Sequence, residues 1–257
     1  MHAIILAGDR PGGSPLAKSN NVSSGIFVKV NGVTCINRVL LAIHNSRLIT
    51  TASIVGPSKE SFLGESSLSD LIDNYGFDWL SPDKGPAASA AKALRHVSIL
   101  PALLTTADHA LLTPEIIDDF CKSAKTVQAD LVVGLALHTD VIKAFPQTKR
   151  TLLRFADGIY CGCNLFLLNT TESQSVLSFW KALEADRKKP WRIVMKLGPK
   201  LLLKYLFRLL TIDELFEKLS SCSGARVRYV SVSNPIAAID VDSEGDLKLA
   251  NEICSND

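Results

Sequence analysis

The sequence predicts an α/β fold of three layers, with helices on both faces of a mostly parallel central sheet. Three observations carry this expectation. Short apolar runs alternate with segments of helical spacing, the pattern of strand–helix–strand units whose strands lie side by side in one direction. The 257 residues are 47% apolar, enough to bury a full core. No internal repeat or low-complexity linker interrupts the chain. The expectation is therefore one domain over residues 1–257, with a helical elaboration at about 173–219.

Taken in order, Ala3–Ala7 is a strand that breaks at Gly8 into a loop rich in glycine and base. Gly25–Val30 is a short apolar stretch, and Asn31-Gly32 makes a turn. Thr34–Asn45 has helical spacing, and Ala52–Val55 is a strand closed by Gly56-Pro57. Ser66–Asn74 reads as a helix and Asp78–Leu80 as a short strand. Pro86–Val97 is an alanine-rich helix with proline in its first turn. Pro101–Thr105 is a strand, after which Thr113 caps a helix that opens on Pro114. Ala129–Gly134 is a further strand. In the second half Thr151–Phe155, Cys163–Leu168 and Val227–Val232 read as strands, with a long helical region from Ser173 to Leu219.

Composition excludes several classes. The net charge of +2 is spread among interspersed acids and bases, so no field favours nucleic acid. The six cysteines, Cys35, Cys121, Cys161, Cys163, Cys222 and Cys254, form no CxxC pair and no zinc spacing. In a chain this long they read as reduced thiols of an intracellular protein. No basic leader or cleavage site precedes the first strand, which predicts a cytoplasmic location. No apolar run reaches the roughly 20 residues of a membrane span. His2, His44, His96, His109 and His138 show no HExxH or paired spacing, and no GxSxG is present, so zinc and serine hydrolysis have no anchor.

In a parallel sheet, ligands sit at the carboxyl ends of the strands. Four loops fall there: GDRPGGSPLAK from Gly8, DKGPAAS from Asp83, TADHA with Asp108, and IDVDSEGDL with Asp240 and Asp242 ending a strand. A strand running into a glycine-rich basic loop offers bare N–H groups and cations to a polyanion. Neither GxxxxGK[ST] nor GxGxxG is present, so the two commonest nucleotide loops are excluded. Two acids at separate strand ends can share one hard cation through oxygen, as Mg²⁺ sites that also bind phosphates do. The plainer alternative is that Asp242 or Ser243 is a helix N-cap.

The order of these segments, a strand ending in LAG and a basic loop, then KGPAAS, LLTTADHALLTPEII and AIDVDSEGDLKLA, resembles the nucleotidyltransferases of the glycosyltransferase-A type. Among them it looks most like the MobA-like NTP transferases. The likeness spans roughly residues 3–168 and 226–250, and TKRTLLRFADGIYCGCNLFLL resembles a KRT…GGN segment in a subgroup. It implies the nucleotide-diphospho-sugar transferase type of three-layer fold, Mg²⁺ as cofactor, and an NTP and a phosphorylated small molecule as substrates. Carried over by position, Ala7, Gly8, Asp9, Arg10, Gly12 and Gly13 would wrap the triphosphate, with Arg10 neutralising its charge. Gly85, Pro86 and Ser89 would face the nucleobase. Asp108 and Asp242 would hold Mg²⁺; by strand alternation with Val241, Asp240 faces away or supports the strand. Asn164 would lie near the acceptor, and Lys149 and Arg150 would hold its phosphate or form solvated surface.

One departure matters. The family's segment resembles HKALLPVxG, where this chain has SGIFVKVNG, so Gly25 stands at the place of the usual lysine. Lys18 or Lys29 is then the candidate substitute, and a missing cation would cost about 3 kcal/mol of transition-state stabilisation. This leaves a second reading, a non-catalytic nucleotide- or ligand-binding protein on the same fold. A glycosyltransferase comes third, since its paired acids usually share one strand end.

The segment from Lys188 to Leu219 is the other departure. Lys196, Lys200, Lys204 and Arg208 recur every four residues among apolar neighbours that include Trp191, Tyr205 and Phe207. The expectation is a helix from Pro199 to Leu210 packed on protein, in the sheet's back half or in a homodimer. Lys204 and Arg208 would lie at the solvent edge, with Leu202, Leu206 and Leu209 buried. Peripheral membrane contact through 191–210 and a lipophilic acceptor pocket are the alternatives.

Overall fold

The structure, a computed structural model, describes residues 1–8, 13–58, 60–61, 66–97, 99–185 and 196–256. Its centre is a sheet in the order β10-β7-β9-β6-β1-β4-β5. The strands are β1 (His2–Leu6), β4 (Thr51–Val55), β5 (Asp78–Leu80), β6 (Ala102–Thr106), β7 (Leu131–Leu137), β9 (Gly158–Leu168) and β10 (Val227–Ser231). A short β8 (Leu153–Phe155) pairs with β9, and β2 (Lys29–Val30) with β3 (Val33–Thr34) makes a separate hairpin. Strand β1 runs parallel to β4 and β6, β4 to β5, and β10 to β7, whereas β9 is antiparallel to both neighbours. The sheet is mostly parallel, as the alternation of elements predicts.

Burial explains the three layers. In β1, Ala3 and Ile5 face one apolar cluster and Ile4 and Leu6 the other, as the two-residue period of a strand requires. The first cluster is completed by α2 (Cys35–Asn45), α3 (Ser66–Tyr75) and α5 (Pro114–Thr126). The second is completed by α4 (Pro86–His96), α7 (Ser173–Ala185) and α9 (Ile212–Ser223). Both α2 and α5 open on the threonine that precedes them: Thr34 accepts from the Asn37 amide and Thr113 from the Ile116 amide. The remaining helices are α1 (Pro15–Ser19), α6 (His138–Ala144), α8 (Pro199–Leu206) and α10 (Glu244–Asn256).

The sequence expectations need four corrections. Strand β9 begins at Gly158, well before Cys163. Residues 138–144 form α6, a helix that the pattern of the sequence does not announce. The span from Ser173 to Leu219 is broken: Gly198 (φ +92°) precedes Pro199 at the start of α8, and Arg208 (φ +56°) lies beyond its end. Then Thr211 and Glu214 form a reciprocal capping box that starts α9. Residues 186–195, including Trp191, lie outside the described residues.

The last correction concerns α8, which has only eight residues. Its inward face is Leu201 and Tyr205, one turn apart, against the second cluster. Leu206 and Leu209 are each 64% exposed, not buried, while Leu202 is half-buried and Leu210 buried. The backbone turn at Arg208 is what separates Leu209 from Leu210. Lys204 is held by Glu214, and Arg208 is exposed as expected.

Candidate nucleotide and metal site

Because β1, β4, β5 and β6 run in one direction, the loops after them share one edge. Backbone bonds lock these ends together: the Ala7 amide donates to Val55 (2.9 Å), Gly56 to Leu80 (2.8 Å) and Ala107 to Leu6 (2.9 Å). Gly56 has φ +92°, and a Cβ there would lie 3.0 Å from the Ala7 carbonyl and the Gly8 nitrogen, so only glycine lets these strand ends approach. Gly8 faces Pro82, 3.7 Å from where its Cβ would be, which sets the first loop against the second. Asp9, Arg10 and Gly12 lie outside the described residues.

The far side of the first loop is built by Gly13 and Ser14. Gly13 has φ +76°, and Cε of Lys18 lies 3.8 Å from the position of its missing Cβ. The Lys18 side chain therefore folds back along α1 toward the loop. Ser14 caps α1 by accepting from the Ala17 amide, with Pro15 at the first helical position. Gly25 packs on this cap: a Cβ there would sit 3.2 Å from the Ser14 hydroxyl. Lys29 is exposed on the β2–β3 hairpin.

In the second loop, Pro86 opens α4 and Gly85 precedes it in extended conformation. The Ser89 hydroxyl accepts from the Asp83 amide (2.9 Å), bracing the loop from within. Glu184 of α7 reaches across: its carboxylate accepts from the Ala87 amide (3.2 Å) and fills the space over Gly85. A carboxylate at a helix N-terminus is electrostatically favoured. Nothing in the sequence signals this residue, which arrives from 97 positions away.

The third and fourth loops meet through the backbone. The Asp108 carbonyl accepts from Ala110 (2.9 Å) and from Val241 (3.0 Å), so Val241 carries Asp240 and Asp242 to Asp108. The Asp108 carboxyl is pushed up to about 6, chiefly by burial, with Asp240 and Asp242 adding like charge. Its Oδ1 is buried without a hydrogen-bond partner. Next to it, His109 is buried and its pKa is lowered to about 4 by desolvation, so the ring is neutral. Asp240 and Asp242 do not end a strand; they follow a 3-10 turn at Pro235–Ala238 and lead into α10. The N-cap question also has an answer. Ser243 and Asp246 cap α10 reciprocally, Asp246 Oδ2 accepting from the Ser243 amide (3.0 Å) and hydroxyl (2.6 Å). Asp242, two residues before the helix, adds like charge to Asp108.

Arg150, Asn164 and Asp240 form a clamp beneath this loop. The Arg150 guanidinium, with its side chain 8% exposed, pairs with both Asp240 and Asp246 and donates to the Thr148 hydroxyl (3.2 Å). Asn164 donates to Asp240 (3.1 Å). It does so from φ +50°, at an irregularity where the β7–β9 register shifts; such bulges re-aim a side chain, and asparagine tolerates this conformation. Arg150 thus organises the acidic loop and presents little open guanidinium to a phosphate. Lys149 is exposed and lines a groove of about 600 Å³ between residues 144–149 and α10, together with Ser243 and Lys248.

Among the described residues no group of three or more His, Cys, Asp or Glu side chains is placed to hold a metal. Asp108 and Asp242 supply hard oxygen donors, one of them buried and unpartnered. That set fits a Mg²⁺ ion whose remaining ligands are water and substrate phosphate oxygens.

Fold and loop placement together define a nucleotide-diphospho-sugar transferase type of architecture. No protein-family model and no curated protein matches the chain, but solved structures do. One described as a hypothetical transferase from Thermus thermophilus is similar at 27% identity, covers 96% of this chain and 98% of its own, and superposes with a TM-score of 0.79. A 4-diphosphocytidyl-2C-methyl-D-erythritol synthase from Anaerococcus prevotii matches at 10% identity and TM-score 0.60, covering 99% and 98% of the two chains. Molybdopterin-guanine dinucleotide biosynthesis protein A from Archaeoglobus fulgidus matches at 15% identity and TM-score 0.54, covering both chains fully at 100%. The last two likenesses concern the fold alone. The structural neighbours are nucleotidyltransferases, MobA among them, as the segment order in the sequence implies.

Proposed function

We propose that this chain is a Mg²⁺-dependent nucleotidyltransferase that moves an NMP from an NTP to a phosphorylated small molecule. An acceptor phosphate oxygen attacks the α-phosphorus; the new P–O bond forms as the bond to the β-phosphate oxygen breaks, and pyrophosphate leaves. The observation that supports this reading is the Val241–Asp108 backbone bond, which joins the segment carrying Asp240 and Asp242 to the loop after β6. Similarity to a transferase over nearly the whole chain supports it.

The roles follow from position. The loop from Gly8 to Gly13 wraps the triphosphate, with Arg10 as its cation, and Lys18 approaches from the Gly13 side. Backbone groups around Gly85 and Pro86 read the base, with Ser89 fixing the loop's shape. Asp108 and Asp242 hold Mg²⁺, which when bound neutralises charge developing on the phosphates. The groove beside Lys149 is open to the acceptor. Positioning and electrostatics do the rest, since phosphoryl transfer asks little covalent work of the protein.

Pyrophosphate release, measured with a panel of NTPs and phosphorylated acceptors with and without Mg²⁺, tests the proposal. Release with one such pair, abolished by EDTA, is the expected result. NTP binding without release under every pairing would favour the second reading, a nucleotide-binding protein, for which Gly25 in place of a lysine is the specific observation.

A further inference from the structure

Large apolar side chains exposed singly are ordinary, but a contiguous set marks an interaction surface. Among the described residues, Leu203, Leu206, Phe207 and Leu209 are 54%, 64%, 71% and 64% exposed and fall within seven consecutive positions at the end of α8 and the turn beyond it. The opposite face of α8, Leu201 and Tyr205, packs on the core and fixes the element in place. The exposed side chains are thus presented outward by a seated helix.

Charge identifies the occupant. Lys200 and Arg208 are exposed beside these side chains, while Lys204 is paired with Glu214. Eight of the 28 basic residues lie between Arg187 and Arg208, with no Asp or Glu among them. The whole chain is only +2, so this stretch of sequence is basic while the remainder is net acidic. A second copy does not suit this surface. A two-fold contact would bring two copies of this basic cluster into one seam, and four side chains fall well short of the roughly 800 Å² per partner of a stable dimer. An anionic bilayer suits both features. Leucine and phenylalanine enter the boundary between headgroups and acyl chains, and the basic groups remain at the level of the lipid phosphates. No helix among the described residues is long and apolar enough to cross a membrane, so the contact lies along the surface.

We propose that α8 and the turn after it dock this protein on an anionic lipid surface. The test is co-sedimentation of the full chain with vesicles of phosphatidylcholine alone and of phosphatidylcholine mixed with phosphatidylglycerol. Binding is expected only to the mixed vesicles and should weaken with salt. Lys200→Glu/Arg208→Glu should lower partitioning by at least about fivefold per residue. Leu206→Ser/Phe207→Ser should lower it by more than about tenfold. Because all four residues are exposed, unchanged melting of the variants shows that the fold is intact. Absence of binding to mixed vesicles overturns the proposal, as does binding that survives loss of Leu206 and Phe207. A concentration-dependent dimer that the same serine variant dissociates, without vesicle binding, overturns it in favour of a second copy.

Discussion

The Val241 amide donates a 3.0 Å hydrogen bond to the Asp108 carbonyl, joining the loop after β6 to the segment before α10 across 133 positions of sequence. That bond brings Asp240 and Asp242 toward a carboxyl that is already buried. Each of the three carboxylates is then handled differently. Asp240 is paired with Arg150 and accepts from Asn164. Asp108 keeps a buried oxygen with no partner and is pushed up to about 6. Asp242 lies next to the Ser243–Asp246 cap and adds like charge to Asp108. Such an arrangement costs stability in the ligand-free protein, as sites arranged for charge often do.

A first prediction follows from that cost. Asp108→Asn removes a carboxylate that burial disfavours when ionised, so at neutral pH the variant should be more stable by about 1–3 kcal/mol. Turnover should be lost at the same time. Addition of Mg²⁺ with an NTP should raise the melting temperature of the wild type and not of the variant. Equal stabilisation of both by Mg²⁺–NTP would remove Asp108 from the metal site.

The second prediction concerns the missing lysine. Lys18 folds back on Gly13 and Gly25 packs on the Ser14 cap, so both positions border the same loop. Lys18→Ala should lower kcat/KM about 100-fold, the loss expected for one preorganised charge donor. Gly25→Lys in that background should restore part of it. The new Cβ would sit 3.2 Å from Ser14 Oγ and 3.4 Å from Ser14 Cβ, so the Ser14 cap must give by a few tenths of an ångström to admit it. Unchanged turnover in Lys18→Ala would move the cation's role to another residue.

Arg150 supports a third. Its nearly buried guanidinium bridges Asp240 and Asp246, and its removal would leave two partly buried carboxylates without a counter-charge. Arg150→Met should destabilise the fold by about 2–4 kcal/mol in denaturant titration. Arg150→Lys should recover little, because a single ammonium cannot hold two carboxylates with a fork's geometry. Full stability in the methionine variant would show that the clamp does not organise the acidic loop.

Much of this architecture was legible from the chain. Thr34 and Thr113 announce their helices, and Asp78–Leu80 was readable as a strand because apolar runs and caps are local signals. That the ends of β1, β4, β5 and β6 share one edge follows from their common direction. The antiparallel β9 hides its first half, since GIYCG mixes small and polar residues with apolar ones. Glu184 and Asp246 were not foreseen as parts of the site. The first acts at a distance of 97 positions and leaves no local trace. The second had one: Ser243 and Asp246 have capping-box spacing. The exposure of Leu206 and Leu209 was hidden for another reason. Apolar periodicity shows that a face must be covered but not that the helix stops after eight residues, at a backbone turn.

The last prediction is the pH dependence of stability, to which two buried histidines and Asp108 contribute with opposite sign. His2 lies between the Thr51 and Ser53 hydroxyls (2.8 and 3.0 Å), and desolvation lowers its pKa to about 4, as it does for His109. Between the unfolded value near 6.5 and the folded value near 4, the unfolded chain binds more protons than the folded one. Stability must therefore fall as pH is lowered through that window, by up to about 3 kcal/mol for each ring. Asp108 behaves oppositely. Its folded pKa of about 6 lies above the unfolded value of 3.8, so the folded chain binds the extra proton and gains stability as pH falls from 6 toward 3.8. Asp108 thus offsets part of the histidine loss. Melting temperatures from pH 7 to pH 4 should decline in the wild type, and the decline should steepen in Asp108→Asn. A variant curve parallel to the wild type would show that the Asp108 carboxyl titrates in its ordinary range.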